Sequence, residues 1–316
     1  MASLKEIKNR INSIQSTQKI TAAMKMVASA KLHHTQAATE RTLAYAEQLT
    51  DILQSLLAAE QEFDSPYTVR REVKNVAIVV CSSNTGLCGS FNANVWKSLE
   101  ELIQSYKAQQ VHIEFYPVGK KIAKELQKAG YDYHDEFISI ADNLEYEKVA
   151  KLAARLRELY ISKQVDQIDL LYHHFKNMVQ QILTHKIYLP LSIQEETKPV
   201  DNTAYATDYI LEPSVYELQQ LLFPKMLDLQ IYTTLLDTTT SEHAARMMAM
   251  QTANDNANEL IRQLTLQYNK TRRHHGRRQP VFLIQLHESY KRISGTYNIG
   301  DFLFNHFPSI INQPHT

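Results

Sequence analysis

SLKEIKNRINSIQSTQKITAAMKMVASAKLHHTQAATERTLAYAEQLTDILQSLL, residues 3–57, contains no Gly and no Pro. Ala, Lys, Gln, Glu, Leu and Met dominate it, all good helix formers. Ser3 with Glu6 three residues on makes a capping box, so the helix starts almost at the first residue. Leu4, Ile7, Ile11 and Ile14 recur at helical spacing and draw one apolar stripe. Beyond Ile14 the stripe shrinks and shifts phase through Ile20, Met24, Val27 and Ala30. At about 1.5 Å per residue such a helix would be roughly 80 Å long, more than a compact domain can flank. It needs a partner of matching length.

The other end of the chain offers one. From Pro213 to about Arg272 there is no Gly, and Pro224 is the only internal proline. Ser214 with Glu217 repeats the capping box directly after a proline. Leu218, Leu222, Met226, Leu229 and Leu236 form one face, which Ala244, Met248, Ala257, Ile261, Leu264 and Tyr268 continue less regularly. Pro224 removes one backbone donor and should kink the helix rather than end it. Two long amphipathic helices at opposite ends imply an antiparallel coiled coil carrying a middle domain. The alternative is two separate helices packed on a bundle.

Between the helices, an Asp-Ser-Pro turn lies within residues 58–73. Lys74–Cys81 (KNVAIVVC) is a β-branched run suited to a strand buried on both faces. Ser82–Ser90 (SSNTGLCGS) is a glycine-containing loop and Phe91–Lys107 a helix. Val111–Val118 alternates like a strand, Gly119–Ala129 is a short helix, Glu145–Ser162 a longer one, and Asp166–Phe175 another strand. Ile182–Leu189 returns as an antiparallel edge, and an optional further strand falls before the 145–162 helix. Residues 190–208 form an irregular polar connector. The order predicts a fold of mixed α+β and α/β class. A long antiparallel two-helix coiled coil, formed by the N- and C-terminal helices, carries an inserted Rossmann-like three-layer α/β domain. The expected domains are 1–60, 70–190 and 208–272, with 273–316 a tail of different character.

Lys+Arg and Asp+Glu both number 34, so no global field argues for nucleic acid. The signs are unevenly spread: Lys5, Lys8, Arg10, Lys19, Lys25 and Lys31 face only Glu6 over the first 31 residues. That is either a solvated lysine face or a helix inserted into an acidic cavity. Two cysteines, Cys81 and Cys88, argue against a disulfide-stapled secreted protein. No signal peptide is recognisable, and no run reaches the roughly 18 apolar residues of a membrane span. The expectation is a soluble, cytosol-facing chain, one that can dock on a membrane complex.

The loop TGLCGS, between strand and helix, invites a nucleotide-binding reading. It lacks both GxGxxG and GxxxxGK[ST], and Gly119-Lys120 has no upstream glycine at the right spacing. A tight turn serving packing is the competing reading. Cys81 and Cys88 read as buried inert thiols rather than a redox pair. The doublets His33-His34, His173-His174 and His274-His275 point their rings to different faces and make poor chelates. HExxH and CxxC are absent, and nothing singles out a nucleophilic serine. No catalytic residue, metal ligand or cofactor is assigned.

Three stretches carry a family resemblance. MASLKEIKNRINSIQSTQKITAAMKMVASAKL resembles the N-terminus of the gamma subunit of F-type ATP synthases, with its I-x-S-[IV]-Q-x-T-x-K-I-T-x-A-M-x-M-V-A-x-x-K pattern. SSNTGLCGSFNAN is similar to that family's S-[DS]-x-G-L-C-G-x-[FY]-N loop, with Asn84-Thr85 where many members have Asp-Arg. YILEP (209–213) and SEHAARMMAMQTANDNANELIRQLTLQYNKTR (241–272) resemble its C-terminal helix. The resemblance covers residues 1–272 and implies a non-catalytic, bacterial-type rotor subunit with no small-molecule substrate of its own. In the family the paired helices turn inside a ring of alpha and beta subunits. The α/β domain sits at the foot against the epsilon subunit and the membrane c-ring, on the cytoplasmic face of the inner membrane. By the same resemblance Met24, Lys25 and Arg272 face acidic loops of the catalytic head, and Tyr209 and Glu212 lie near the membrane ring. Rotation would cycle the catalytic subunits through states by differential contact. Three further readings stand beside it: an α/β enzyme with a helical arm, which a nucleotide-binding loop or a catalytic pair would support, a non-rotary coiled-coil tether, and a tail-altered, poorly coupled copy.

The departure begins after Arg272. Arg273 stands where the family has Gln, followed by HHGRRQPVFLIQLHESYKRISGTYNIGDFLFNHFPSIINQPHT instead of a short helical xAITxELxxIVxG tail. Three of the seven Gly, three of the nine Pro and four of the ten Phe fall after Arg273. Gly276 and Pro280 are expected to stop the helix. Val281–Leu286 would be an exposed apolar run with aggregation risk. The tail reads as a shifted reading frame or as a lineage-specific extension. Mass spectrometry of the C-terminal peptide from native enzyme separates the two: a peptide ending in a VGG-type tail sinks the extension.

Overall fold

The computed structural model describes residues 3–59, 65–191 and 215–294. Ser214, Tyr209, Glu212 and most of the 190–208 connector lie outside the described residues. The elements are α1 (Leu4–Ala59), β1 (Asn75–Cys81), α2 (Phe91–Ala108), β2 (His112–Val118), α3 (Lys120–Lys128), a 3-10 turn (Ile138–Ala141), α4 (Tyr146–Ile161), β3 (Gln167–Phe175), β4 (Gln181–Leu189) and α5 (Val215–Ser294). The optional extra strand reduces to a single bridge between Phe115 and Tyr133. Two units divide the chain: residues 1–20 with 254–316, and residues 21–253.

In the first unit the Ser3 Oγ accepts the Glu6 N–H at 3.2 Å, the cap read from the sequence. Ile7 and Ala257 are buried, and the Gln18 amide bonds Asn258. Here α5 runs on through Gly276 and Pro280 to Ser294, against the expected stop. A proline removes one backbone donor, and the Arg, Gln, Leu and Ile residues around Pro280 favour helix enough to continue past it. Pro224 sits inside the same helix.

In the second unit Thr39 bonds Thr240, while Leu49 and Leu53 pack with Phe223 and Leu229. As α1 advances, its contacts on α5 recede, which makes the pair antiparallel. Among the described residues, those of α1 buried in this unit are Thr21, Ala28, Leu32, Leu49 and Leu53. Met24 and Val27, by contrast, are 38% and 57% exposed. The phase shift is therefore a rotation of the buried face onto small and polar residues, and the apolar stripe read through Ile20, Met24, Val27 and Ala30 faces outward.

The sheet order is β2-β1-β3-β4, with β1 parallel to β2 and β3, and β4 antiparallel to β3. Alternation along β1 sends Ala77, Val79 and Cys81 toward α4 and the Leu227–Leu235 stretch of α5. Val76, Ile78 and Val80 go toward α2 and α3. Both faces are covered, which is why the run is continuously β-branched. The result is three layers, with α5 serving as part of one. Where β2 turns into α3, Gly119 has φ +111°, and a Cβ there would stand 2.2 Å from the Ser82 carbonyl oxygen. Gly119→Ala should cost about 3 kcal/mol through backbone strain and overlap, read as a lowered urea midpoint at unchanged slope.

Candidate functional site

The strand order reverses at β1, and the crevice beyond the carboxyl ends of such strands is where doubly wound folds bind ligands. Ser82–Ser90 occupies this position. Its base is a closed polar circuit. The Asn92 side-chain carbonyl accepts the Ser83 N–H at 3.1 Å, and its amide donates to Ser83 Oγ at 2.8 Å and to Cys88 Sγ at 3.1 Å. Ser83 Oγ in turn donates to the Thr85 carbonyl at 2.6 Å.

The first turn of α3, where an anion would be cradled, is taken up by the same loop. Asn84 Oδ1 accepts the Lys120 N–H at 2.8 Å, the Ser83 carbonyl accepts that of Lys121 at 3.2 Å, and Ser82 Oγ accepts that of Ile122 at 3.1 Å. Asp142 caps the outside, bonded by Asn84 and by Lys120 Nζ at 3.0 Å, and these partners hold its carboxyl below the usual range. The first-turn donors of α3 that would grip a phosphate are engaged within the protein. Of the two readings of TGLCGS, the geometry is that of a packing turn.

Both thiols are buried and free. Burial pushes Cys81 up to about 12, against a weaker opposing bond from Thr238. That thiol is inert at neutral pH. His173 and His174 do face opposite ways. His173 is buried and stacks on Phe91 at a ring distance of 4.1 Å. His174 is exposed and pairs with Asp237 at 2.6 Å. His33, His34 and His274 are exposed. Among the described residues no group of three His, Cys, Asp or Glu could hold a metal ion.

One polar cluster had no signal in the sequence. Asp169 is fully buried and receives the Tyr106 hydroxyl at 2.5 Å, Gln167 at 2.8 Å and His185 at 2.8 Å. The Asp169 bond raises the His185 pKa against the opposing effect of burial. The four residues sit at the β3–β4 edge under α2, and only the pairing of two distant strands brings them together. Every member has its partner, so the cluster reads as a satisfied core network.

The assigned contact residues are spread along the helices. Met24 is 38% exposed on α1, Lys25 is half-buried beside it, and Arg272 is exposed on α5.

Long paired helices carrying a three-layer α/β domain define a stalk-type architecture. The comparisons agree. The ATP synthase family model matches residues 3–275. The chain is 62% identical over 272 residues to an ATP synthase gamma chain of Parabacteroides distasonis, covering 86% of this chain and 93% of that one. It is 48% identical over 273 residues to that of Phocaeicola vulgatus, covering 86% and 94%. The Euglena gracilis mitochondrial ATP synthase rotor shares the fold at TM-score 0.57 and 19% identity, covering 86% of this chain and 98% of that one. A chain of the OSCP/F1/c-ring structure of the same enzyme does so at 0.63 and 18%, covering 94% and 97%. This chain belongs to the ATP synthase gamma-chain family. It fills the central-stalk rotor position and is not itself an enzyme.

His173 sets a pH dependence. Burial without a partner for Nδ1 lowers its pKa to about 4, from 6.5. A lowered histidine contributes stability that is present above pH 6.5 and lost as pH falls toward 4. Melting temperature should therefore drop between pH 7 and pH 4.5, and drop less steeply in His173→Leu.

Proposed function

We propose that this chain couples ion flow through a membrane c-ring to ATP synthesis or hydrolysis in a catalytic head, by turning its paired helices inside a ring of alpha and beta subunits. The α/β domain stands at the foot against the epsilon subunit and the c-ring. The assembly lies peripherally on the cytoplasmic face of a bacterial inner membrane. Among the described residues no helix is long and apolar enough to cross a membrane, which fits a subunit held there by its partners.

The observation that carries this reading is the exposed apolar stretch of α1. Met24, Met26 and Val27 are 38%, 68% and 57% exposed, while Thr21, Ala28 and Leu32 of the same helix are buried. Large apolar side chains grouped in this way mark a contact surface. Lys25 lies among them, and by family resemblance it and Arg272 are each assigned to acidic loops of the head. Tyr209 and Glu212 are assigned to the membrane ring by family resemblance and lie outside the described residues.

A second reading keeps the family and weakens the coupling. It is favoured by the family match ending at 275 while the chain runs on to 316. Reconstitution with alpha and beta subunits separates these readings. One copy per three beta subunits with active turnover is expected of the rotor. Incorporation only after a family-type tail replaces residues 273–316 would identify the weakly coupled copy. Failure with both tails would leave the tether. In the reconstituted head, Lys25→Glu should lower affinity for the chain about tenfold, since a like-charge contact replaces an attraction.

A further inference from the structure

We propose that Arg246 is a positioning residue that fixes the tip of the Ser82–Ser90 loop to α5, so that the exposed tip and the stalk helix turn as one body. The base of the loop is held by Asn92 and by α3, but neither set of bonds reaches across to the stalk. Arg246 does. Its Nη2 donates to Thr85 Oγ1 at 2.9 Å, to the Thr85 carbonyl at 3.3 Å and to the Gly86 carbonyl at 3.4 Å. Its Nη1 bonds Glu242, one turn back on α5, at 2.7 Å. Among the described residues, the hydrogen bonds that reach Thr85 and Gly86 from outside the loop come from Arg246.

The guanidinium is well suited to this place. Its side chain is 16% exposed and that of Glu242 13%, so the pair is shielded from water and salt. A planar fork can serve the carboxylate with one arm and three loop oxygens with the other; an ammonium offers no such fixed span. Gly89 comes close beneath the same clamp: a Cβ built on it would lie 3.8 Å from the Ala249 methyl group. What the clamp presents is Leu87, 62% exposed with φ +64°, an apolar side chain held at the tip by left-handed backbone. A tip tied only at its base would let Leu87 swing independently of α5.

Two of the three loop acceptors are main-chain carbonyls and the third is the Thr85 hydroxyl, so the side chain of Thr85 adds one bond to a clamp that the backbone already offers.

The torque-bearing part of this inference rests on the rotor reading; the clamp does not. The test uses the full chain assembled with its catalytic head. A nitroxide label on Leu87→Cys reports loop motion, both native thiols being buried. Arg246→Gln and Arg246→Lys should each shorten the label's correlation time about threefold, with an unchanged melting transition. Thr85→Val, which deletes one of the three loop acceptors, should give an intermediate value. An unchanged label in Arg246→Gln overturns the clamp. So does a lysine variant indistinguishable from the parent, since charge alone would then suffice. Loosening that appears only together with a lowered melting transition overturns it as well, because Arg246 would then serve general stability. A bead on the α/β domain of the same heads checks the rotor reading separately. A parent chain that never turns its bead sinks that reading and leaves the label result standing.

Discussion

Between Leu227 and Ala244, α5 must satisfy two cores at once, and the rest of the architecture follows from that constraint. Leu227, Ile231 and Leu235 close one face of the sheet. Leu229, with Phe223, packs against Leu49 and Leu53 of α1. A helix in this position cannot have a single apolar stripe, because almost its whole circumference is covered. Thr234, Thr238 and Thr240 are nevertheless buried here, each returning its hydroxyl to the carbonyl four residues back at 2.8–2.9 Å. That bond satisfies the hydroxyl within its own helix and lets polar side chains line a packed seam without an orphaned donor.

This explains which parts of the fold were legible in the sequence. KNVAIVVC reads as a doubly covered strand because both faces are apolar, and β1 is found there. Ser3 and Glu6 mark the start of α1 by local chemistry alone. The phase of α1 beyond Ile14 was misleading for a physical reason. Apolar residues normally mark the buried side, yet Met26 and Val27 face outward while Thr21 and Ala28 are buried. A pattern rule assumes that a chain covers its own apolar surface, and a subunit shaped to meet partners breaks it. The continuation through Pro280 failed differently: single-residue stop signals ignore the propensity of the residues on both sides.

The candidate site was legible only in outline. TGLCGS announces a tight strand-to-helix loop, and the missing phosphate patterns favour packing over binding. Glu242 and Arg246 stand four apart, an ion-pair spacing visible in the sequence. That the same arginine reaches Thr85 is not visible, since 161 residues separate them and only the folded sheet brings the loop to α5. The Asp169 cluster is hidden for the same reason.

Apolar packing holds the α/β domain on α5 but is non-directional, and a sheet face resting on leucines resists sliding and twisting weakly. The directional bonds supply what packing lacks. Arg157 of α4 bonds Asp228 and, at 3.2 Å, the Pro224 carbonyl. Asp237 takes the His174 ring and, at 2.7 Å, the Phe175 N–H from the end of β3. Arg246 takes the loop. These anchors stand nine residues apart on α5, so the domain is gripped along about 27 Å of helix at the usual rise. Ion pairs add little net stability, because desolvation offsets the attraction of buried ones and solvent screens exposed ones. Their contribution here is orientation: three fixed points along one helix admit a single register, and a twist applied to α5 has to bend or break a bond before the domain can lag behind.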